Sequence, residues 1–406
     1  MGTLEDRAVI AIHEKFHSLP RKSKPRTFTN GSQEWVPLSG IVVIGKDGAI
    51  TCLALGTGMK CLPGSQSLLL DSGTVLHDWH AEILAIRAFN YFLLQECHQL
   101  ASCANYTSPI LRRRQARELS EVQNSQPFSI REDLRIMMYC SEAPCGDASM
   151  ELVMEAQADP TPWPVTASNE KAASGFLGRG SFSQLGVVRR KPSRADSPIT
   201  LSKSCSDKLA LKQCTSLLSS PVSLLISPGN AYIDTLILPY HRYRPEACER
   251  AFGPAGRMLP VDNSTWLAGY QFRPFRVETA EIDFHYSRRV AGTNLNGRKG
   301  SNISAVWTPR HQETLINGVL QGRKQTDPLG ASALSRMQIW NLLVETIGLI
   351  DALPPRNFLK MSSYLDMKKS DGLEHRRRVK DDVKSEALKG WSNESSNTLF
   401  EEAVRP

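Results

Sequence analysis

Apolar residues near the start of the chain recur at helical spacing. Leu4, Ala8, Ile12 and Phe16 fall on one stripe, which predicts an amphipathic helix from Leu4 to Phe16. A polar, basic stretch from Ser18 to Gln33 follows. Two apolar runs come next, Ile41-Val42-Val43-Ile44 and Ile50-Thr51-Cys52-Leu53-Ala54-Leu55, joined by the turn-forming Gly45-Lys46-Asp47-Gly48. They read as a β-hairpin. Asp78 is placed to cap a long helix running through His80 to about Cys97. Leu134 to Tyr139 is strand-like, and a helix is expected from just after Pro144 through Met150 and Met154. Another is expected from Cys205, behind Ser204, before a strand from Tyr232 to Leu238. The order β-β-α-β-α predicts a layered α/β domain built on a mixed sheet.

Two stretches interrupt this pattern. Residues 102–130 are polar and Arg-rich, and residues 157–203 carry Pro, Ser, Gly and Arg. Both are expected to be long loops that meet substrate. A helical patch from Ser335 to Ile350 and a charged tail from Lys368 to Lys389 mark the last third.

The 406 residues are 41% hydrophobic and 22% charged, a globular composition large enough for a substantial core. Lys+Arg exceed Asp+Glu by 49 − 41 = 8. That balance favours a polyanionic partner. Nine scattered cysteines, no basic-then-apolar leader and no apolar run of membrane-spanning length predict a reducing, intracellular setting, nucleus or cytoplasm, without secretion or a membrane partner.

Three short stretches carry chemistry: His80-Ala81-Glu82, Pro144-Cys145-Gly146-Asp147 and Ser204-Cys205-Ser206-Asp207-Lys208. Helix N-termini stabilise thiolates, which suits Cys145 and Cys205 as metal ligands. With His80 they make a three-ligand zinc site with an open position, and Glu82, two residues past His80, is placed as a proton shuttle. Short base deaminases put both thiols in Pro-Cys-x-x-Cys, but position 148 is Ala. The third ligand must therefore come from elsewhere. Cys205 is the leading candidate, with Cys140 and Cys214 as rivals.

On these motifs the sequence resembles the adenosine-to-inosine deaminases that act on RNA, a family that splits its cysteine ligands in this way. The resemblance implies a cytidine-deaminase-like fold spanning 1–406, with a zinc core over about 35–240 and an extension over about 241–406 packed on it. Editors of double-stranded RNA have Arg after Cys-Gly-Asp-Ala and carry separate RNA-binding domains. Ser149 stands at that position here, and the chain begins almost directly with catalytic-domain sequence. Both features resemble the tRNA-acting branch, which implies conversion of the adenosine 3′ of the anticodon of tRNA-Ala to inosine. The partner expected is tRNA and not DNA, and oligomeric state is left open.

The family also implies buried inositol hexakisphosphate. Arg87, seven residues past His80, and Lys208, three past Cys205, match family positions facing it. Lys212, Tyr364, Lys368 and Trp391 are further cage candidates. Lys60, in Gly56-Thr57-Gly58-Met59-Lys60, resembles a turn lining the nucleotide pocket, and Ser149 belongs with it as a substrate contact. Arg179, Arg189, Arg190, Lys191 and Arg194 are expected to contact RNA phosphates, so that charge reversal of Arg189-Arg190-Lys191 weakens tRNA binding and its salt dependence.

Three alternatives are separable. A catalytically silent RNA-binding zinc protein has no use for Glu82. A cytidine deaminase of free nucleosides does not account for the chain length, the split cysteines or the basic insertions. A deaminase of structured or double-stranded RNA shares the site and differs in substrate.

Overall fold

The computed structural model describes residues 2–29, 32–67, 70, 72–119, 125–156, 176–177, 184–191, 198, 200–288, 299–350 and 363–391. Its centre is an eight-stranded mixed sheet. In chain order the strands are β1 (Leu38–Ile44), β2 (Ile50–Thr57), β3 (Arg135–Cys140), β4 (Thr235–Pro239), β5 (Arg276–Ala280), β6 (Ile303–Thr308), β7 (His311–Ile316) and β8 (Val319–Leu320). Their spatial order is β5-β4-β3-β1-β2-β6-β7-β8. The predicted hairpin is present, running from Leu38↔Thr57 to Ile44↔Ile50 with a register shift between Ile41 and Val42. β3 pairs parallel with β4, and β4 parallel with β5. The C-terminal ends of these three strands therefore lie together.

The pleat sends alternate side chains to opposite faces. Val42, Ile44, Met137 and Tyr139 pack under helix α1 (Leu4–Ser18), against Ala8, Val9, Ile12 and Phe16. Ile41, Val43, Ile136 and Met138 face the other way, into the larger core with Leu84, Phe89 and Leu93 of α2 (Ala81–Ser102). Gly56 lets α2 come close to β2, because a Cβ there would lie 2.6 Å from Leu84 Cβ and 2.8 Å from Ala85 N. This is the layered arrangement of the cytidine-deaminase-like fold, with helices flanking a mixed sheet.

Four expectations change. Asp78 does not cap α2: the N-cap is His80, without a side-chain cap, and the Asp78 carboxylate accepts from His80 N at 3.1 Å and from two lysines described below. After Pro144 the chain makes a 3₁₀ turn, Asp147–Ser149, before α3 (Met150–Glu155), so Cys145 precedes the helix. The polar stretch 102–130 contains strands Leu111–Arg113 and Phe128–Ile130, which join Ile226–Ser227 in a small sheet. Ile110, Leu111, Phe128 and Ile130 bury it despite its polar composition. Finally, the segment after residue 240, expected to pack on the core, contributes β5 to β8 to the same sheet.

That segment also supplies α5 (Pro245–Phe252), α6 (Arg336–Gly348), α7 (Tyr364–Lys369) and α8 (Glu374–Glu386). α4 (Cys205–Thr215) starts as predicted, with Ser204 Oγ accepting from Asp207 N at 3.1 Å. Arg376 of α8 closes its other end, donating to Thr215 O at 2.5 Å and Leu218 O at 2.6 Å. Among the described residues no helix is long and apolar enough to cross a membrane.

Candidate active site

His80, Cys145 and Cys205 come from three elements and meet at one point. His80 precedes α2, Cys145 lies in the turn after β3, and Cys205 is the first residue of α4. His80 Nδ1 is 3.9 Å from Cys145 Sγ and 3.8 Å from Cys205 Sγ. Zinc–sulfur bonds of about 2.3 Å and zinc–nitrogen bonds of about 2.0–2.1 Å at tetrahedral angles separate ligand atoms by about 3.6 Å, so the trio fits that ion. Cys140 and Cys214 are buried and stand outside this cluster.

The two cysteine segments are stitched together. Cys205 N donates to Cys145 Sγ at 3.4 Å and Ser206 N donates to Cys145 O at 3.0 Å. Ser206 Oγ donates to Pro144 O at 2.9 Å and accepts from Ala148 N at 3.1 Å. Gly146 has φ +104°, and a Cβ on it would come 2.5 Å from Ser204 Cβ. A hydrogen bond from Cys205 holds the Cys145 thiol well below its ordinary range, and burial pushes Cys205 up. Glu82, on the first turn of α2, is 6% exposed. Burial first, and then Cys145, raise its carboxyl above the usual range.

Behind the trio lies a buried ionic group. Lys191 Nζ donates to Cys205 Sγ at 3.3 Å and to Asp78 Oδ2 at 2.8 Å. Ser202 Oγ donates to Asp78 at 2.6 Å, and Lys208 Nζ donates to both Asp78 and Ser202. Burial alone would raise the Asp78 carboxyl, but Lys191 and Lys208 bring it well below the carboxylate range.

This overturns the phosphate-contact reading for two residues. Lys191 is 3% exposed and Arg189 0%. Lys191 turns inward because Asp78 and Cys205 compensate its charge. The Arg189 guanidinium donates to Gln184 O and its backbone N–H to Asp207 Oδ2 at 2.9 Å. Arg190 is half-buried, while Arg179 and Arg194 lie outside the described residues. Lys60 is exposed and donates to Asn302. Ser149 is buried, its hydroxyl donating to Gly146 O at 3.2 Å.

Across Asp78 and Lys208 opens a cavity of ≈ 460 Å³. Arg87, Lys208, Lys212, Tyr364 and Trp391 line it. Lys368 does not; its ammonium lies over the Tyr364 ring, 4.8 Å from the centroid. His77 and Arg336 also line it, with Arg336 Nη2 2.9 Å from His77 Nε2. The wall is overloaded with cations. Burial, then Arg376 and Lys380, push Lys212 well below the ordinary lysine range. Lys380, outside the lining but near enough to act on Lys212, is itself lowered to about 7 by burial and by Arg376, Lys384 and Lys368. So many cations with so few acids suit a polyanion.

The profile of the adenosine-deaminase (editase) domain matches residues 54–395. A protein named tRNA-specific adenosine deaminase 1 from Schizosaccharomyces pombe is 37% identical over 82% of this chain and 83% of its own length. Its Saccharomyces cerevisiae namesake is 36% identical over 51% of this chain and 52% of its own. The double-stranded RNA-specific editase Adar of Drosophila melanogaster is 26% identical over 47% of this chain and 28% of its own. Similarity of that extent makes the chain a member of the adenosine-deaminase (editase) family, and so an enzyme.

Proposed function

We propose that the protein hydrolyses adenosine to inosine in tRNA, at the adenosine 3′ of the anticodon of tRNA-Ala, with one zinc held by His80, Cys145 and Cys205. The observation that carries this is the convergence of those three ligand atoms beside buried Glu82. Zinc bound there supplies a Lewis acid that makes water nucleophilic near neutral pH. Glu82 takes the proton of the attacking water and delivers it to the purine N1 as oxygen adds to C6. It then takes the proton of the hydroxyl added at C6 and passes it to the amine; the C6–N6 bond breaks, C6 becomes the carbonyl of inosine, and ammonia leaves. The substrate choice rests on the names of the two yeast relatives and on Ser149. An anticodon-loop base is already unpaired, so reaching it costs only partial unstacking, about a few kcal/mol.

The cation-walled cavity is the proposed seat of inositol hexakisphosphate, held by Arg87, Lys208, Lys212, Arg336, Tyr364 and Trp391. Lys60 is proposed to line the nucleotide pocket, and Arg179, Arg190 and Arg194 to meet RNA phosphates. The chain is proposed to work as a single unit over 1–406.

Incubation with total tRNA followed by inosine mapping tests the reaction. Inosine beside the tRNA-Ala anticodon supports it, whereas inosine only in an added RNA duplex shifts the reading to the duplex editors. Glu82→Gln is expected to abolish inosine while the protein keeps its fold and metal. Elemental analysis is expected to find about one zinc and about six phosphorus atoms per chain.

A further inference from the structure

The two cysteine turns are also tied to a third piece of chain that lies beyond both. Asp147 follows Cys145 by two residues, Asp207 follows Cys205 by two, and both carboxylates are 0% exposed. Besides Arg189, whose charge acts on both carboxylates, each accepts from an arginine that lies after residue 245. Arg250 Nε donates to Asp147 Oδ1 at 3.2 Å and its Nη2 to the Asp147 carbonyl at 2.9 Å, while Nη1 reaches Glu151 of α3 at 2.5 Å. Arg257 Nη1 donates to Asp207 Oδ1 at 2.6 Å and its Nε to Ala251 O at 3.0 Å. The two arginines are themselves joined, since Arg257 N donates to Arg250 O at 2.9 Å. Both carboxylates take further bonds, Asp147 on the oxygen that meets Arg250 and Asp207 on its other oxygen. Asp147 Oδ1 accepts from Gly186 N at 2.8 Å, and Asp207 Oδ2 accepts from Ser204 Oγ at 2.6 Å.

We propose that Arg250 and Arg257 are positioning residues that act as one brace, fixing the Cys145 turn relative to the Cys205 helix start so that both thiols point at the same ion. The inference rests on the metal reading of His80, Cys145 and Cys205. Its physical basis is that a tetrahedral site tolerates little ligand displacement, and these two ligands lie on segments joined by a long insertion. Hydrogen bonds between the turns hold them face to face. The arginine brace fixes both to a common third body, α5 and the chain after it, and neither arginine touches the metal or the reacting atoms.

The test uses the full chain loaded with cobalt(II), whose visible spectrum reports tetrahedral thiolate ligation, and follows metal loss to a chelator well below the melting temperature. Arg250→Met and Arg257→Met are each expected to release cobalt roughly 10- to 100-fold faster than wild type and to alter the visible band. Arg257→Lys is expected to recover part of the loss. Arg310→Met, which breaks a pair with buried Glu96 elsewhere in the fold, is expected to lower the melting temperature with wild-type release. Release and spectrum unchanged in both Arg→Met variants, or equally fast release from Arg310→Met, would overturn the brace. If Arg257→Met does not fold, Arg250→Met and Arg257→Lys decide alone. A wild-type chain that takes up no cobalt would instead remove the metal reading itself.

Discussion

The ammonium of Lys191 donates to the sulfur of Cys205 from inside the protein, 3.3 Å away, while its other bonds go to Asp78. One lysine thus faces the sulfur of a proposed metal ligand and a buried carboxylate together. Lys191→Met leaves both acids short of a cation. Removing one partner of a buried ion pair costs about 3–5 kcal/mol, so the urea midpoint is expected to fall accordingly. The double variant Lys191→Met, Asp78→Asn is expected to recover part of that loss, and a cycle showing no coupling between the two would contradict this account.

Close approach of α2 to β2 sets a second expectation. Gly56→Ala drives a methyl into Leu84 and the Ala85 backbone, which a helix and a central strand cannot both avoid. The cost is expected to be about 1–3 kcal/mol in urea unfolding. Gly229→Ala meets nothing within 4 Å and serves as the neutral control.

His13 gives the fold an acid-sensitive point remote from the metal site. It is 8% exposed between α1 and the sheet, packed on Tyr139 and Phe284. Burial first, and then the charge of His17, lower its pKa from 6.5 to about 4. Below pH 6.5 the unfolded chain binds a proton that the folded chain refuses, so stability is fully present above that value and is lost as pH falls toward 4. The loss approaches about 3 kcal/mol at the acid end. Thermal melts between pH 7.5 and 4 are expected to show a shallower acid decline for His13→Leu than for wild type.

The crowded cavity predicts a ligand-dependent melting temperature. Protein freed of polyanion is expected to gain about 2.7 kcal/mol when inositol hexakisphosphate reaches about a hundred times its dissociation constant. Sulfate at equal ionic strength is expected to give much less. Arg336→Met is expected to weaken the shift, read as a higher ligand concentration at half effect.

Much of the site was readable from the chain because metal chemistry restricts residue type. His80, Glu82, Cys145 and Cys205 stand out in order and spacing. Cys205 prevailed over Cys140 and Cys214 because Ser204 starts a helix at that residue. The direction of a charged side chain was not readable. Arg189-Arg190-Lys191 has the same letters whether it faces water or the core, and what turns Lys191 inward is Asp78, far off in sequence. Asp78 itself looked like a cap because that role is local, and the lysines that claim it are not. Residues 102–130 read as loop because composition outweighed four apolar residues that build a small sheet. The brace arginines carried no signal, since neither neighbours a ligand.

The cavity wall begins at Leu62 and is completed by Trp391. During synthesis His80, Cys145 and Cys205 emerge in the first 205 residues, well before Trp391. The last wall of the cavity arrives only when nearly the whole chain has left the ribosome. A polyanion enclosed there must be captured in the final stage of folding, after slow long-range pairings such as β2 with β6 have closed. On the proposed reading, occupancy of the cavity would act as a proof of completion: a chain stopped short of Trp391 could bring His80, Cys145 and Cys205 together and still lack the last wall of the polyanion seat.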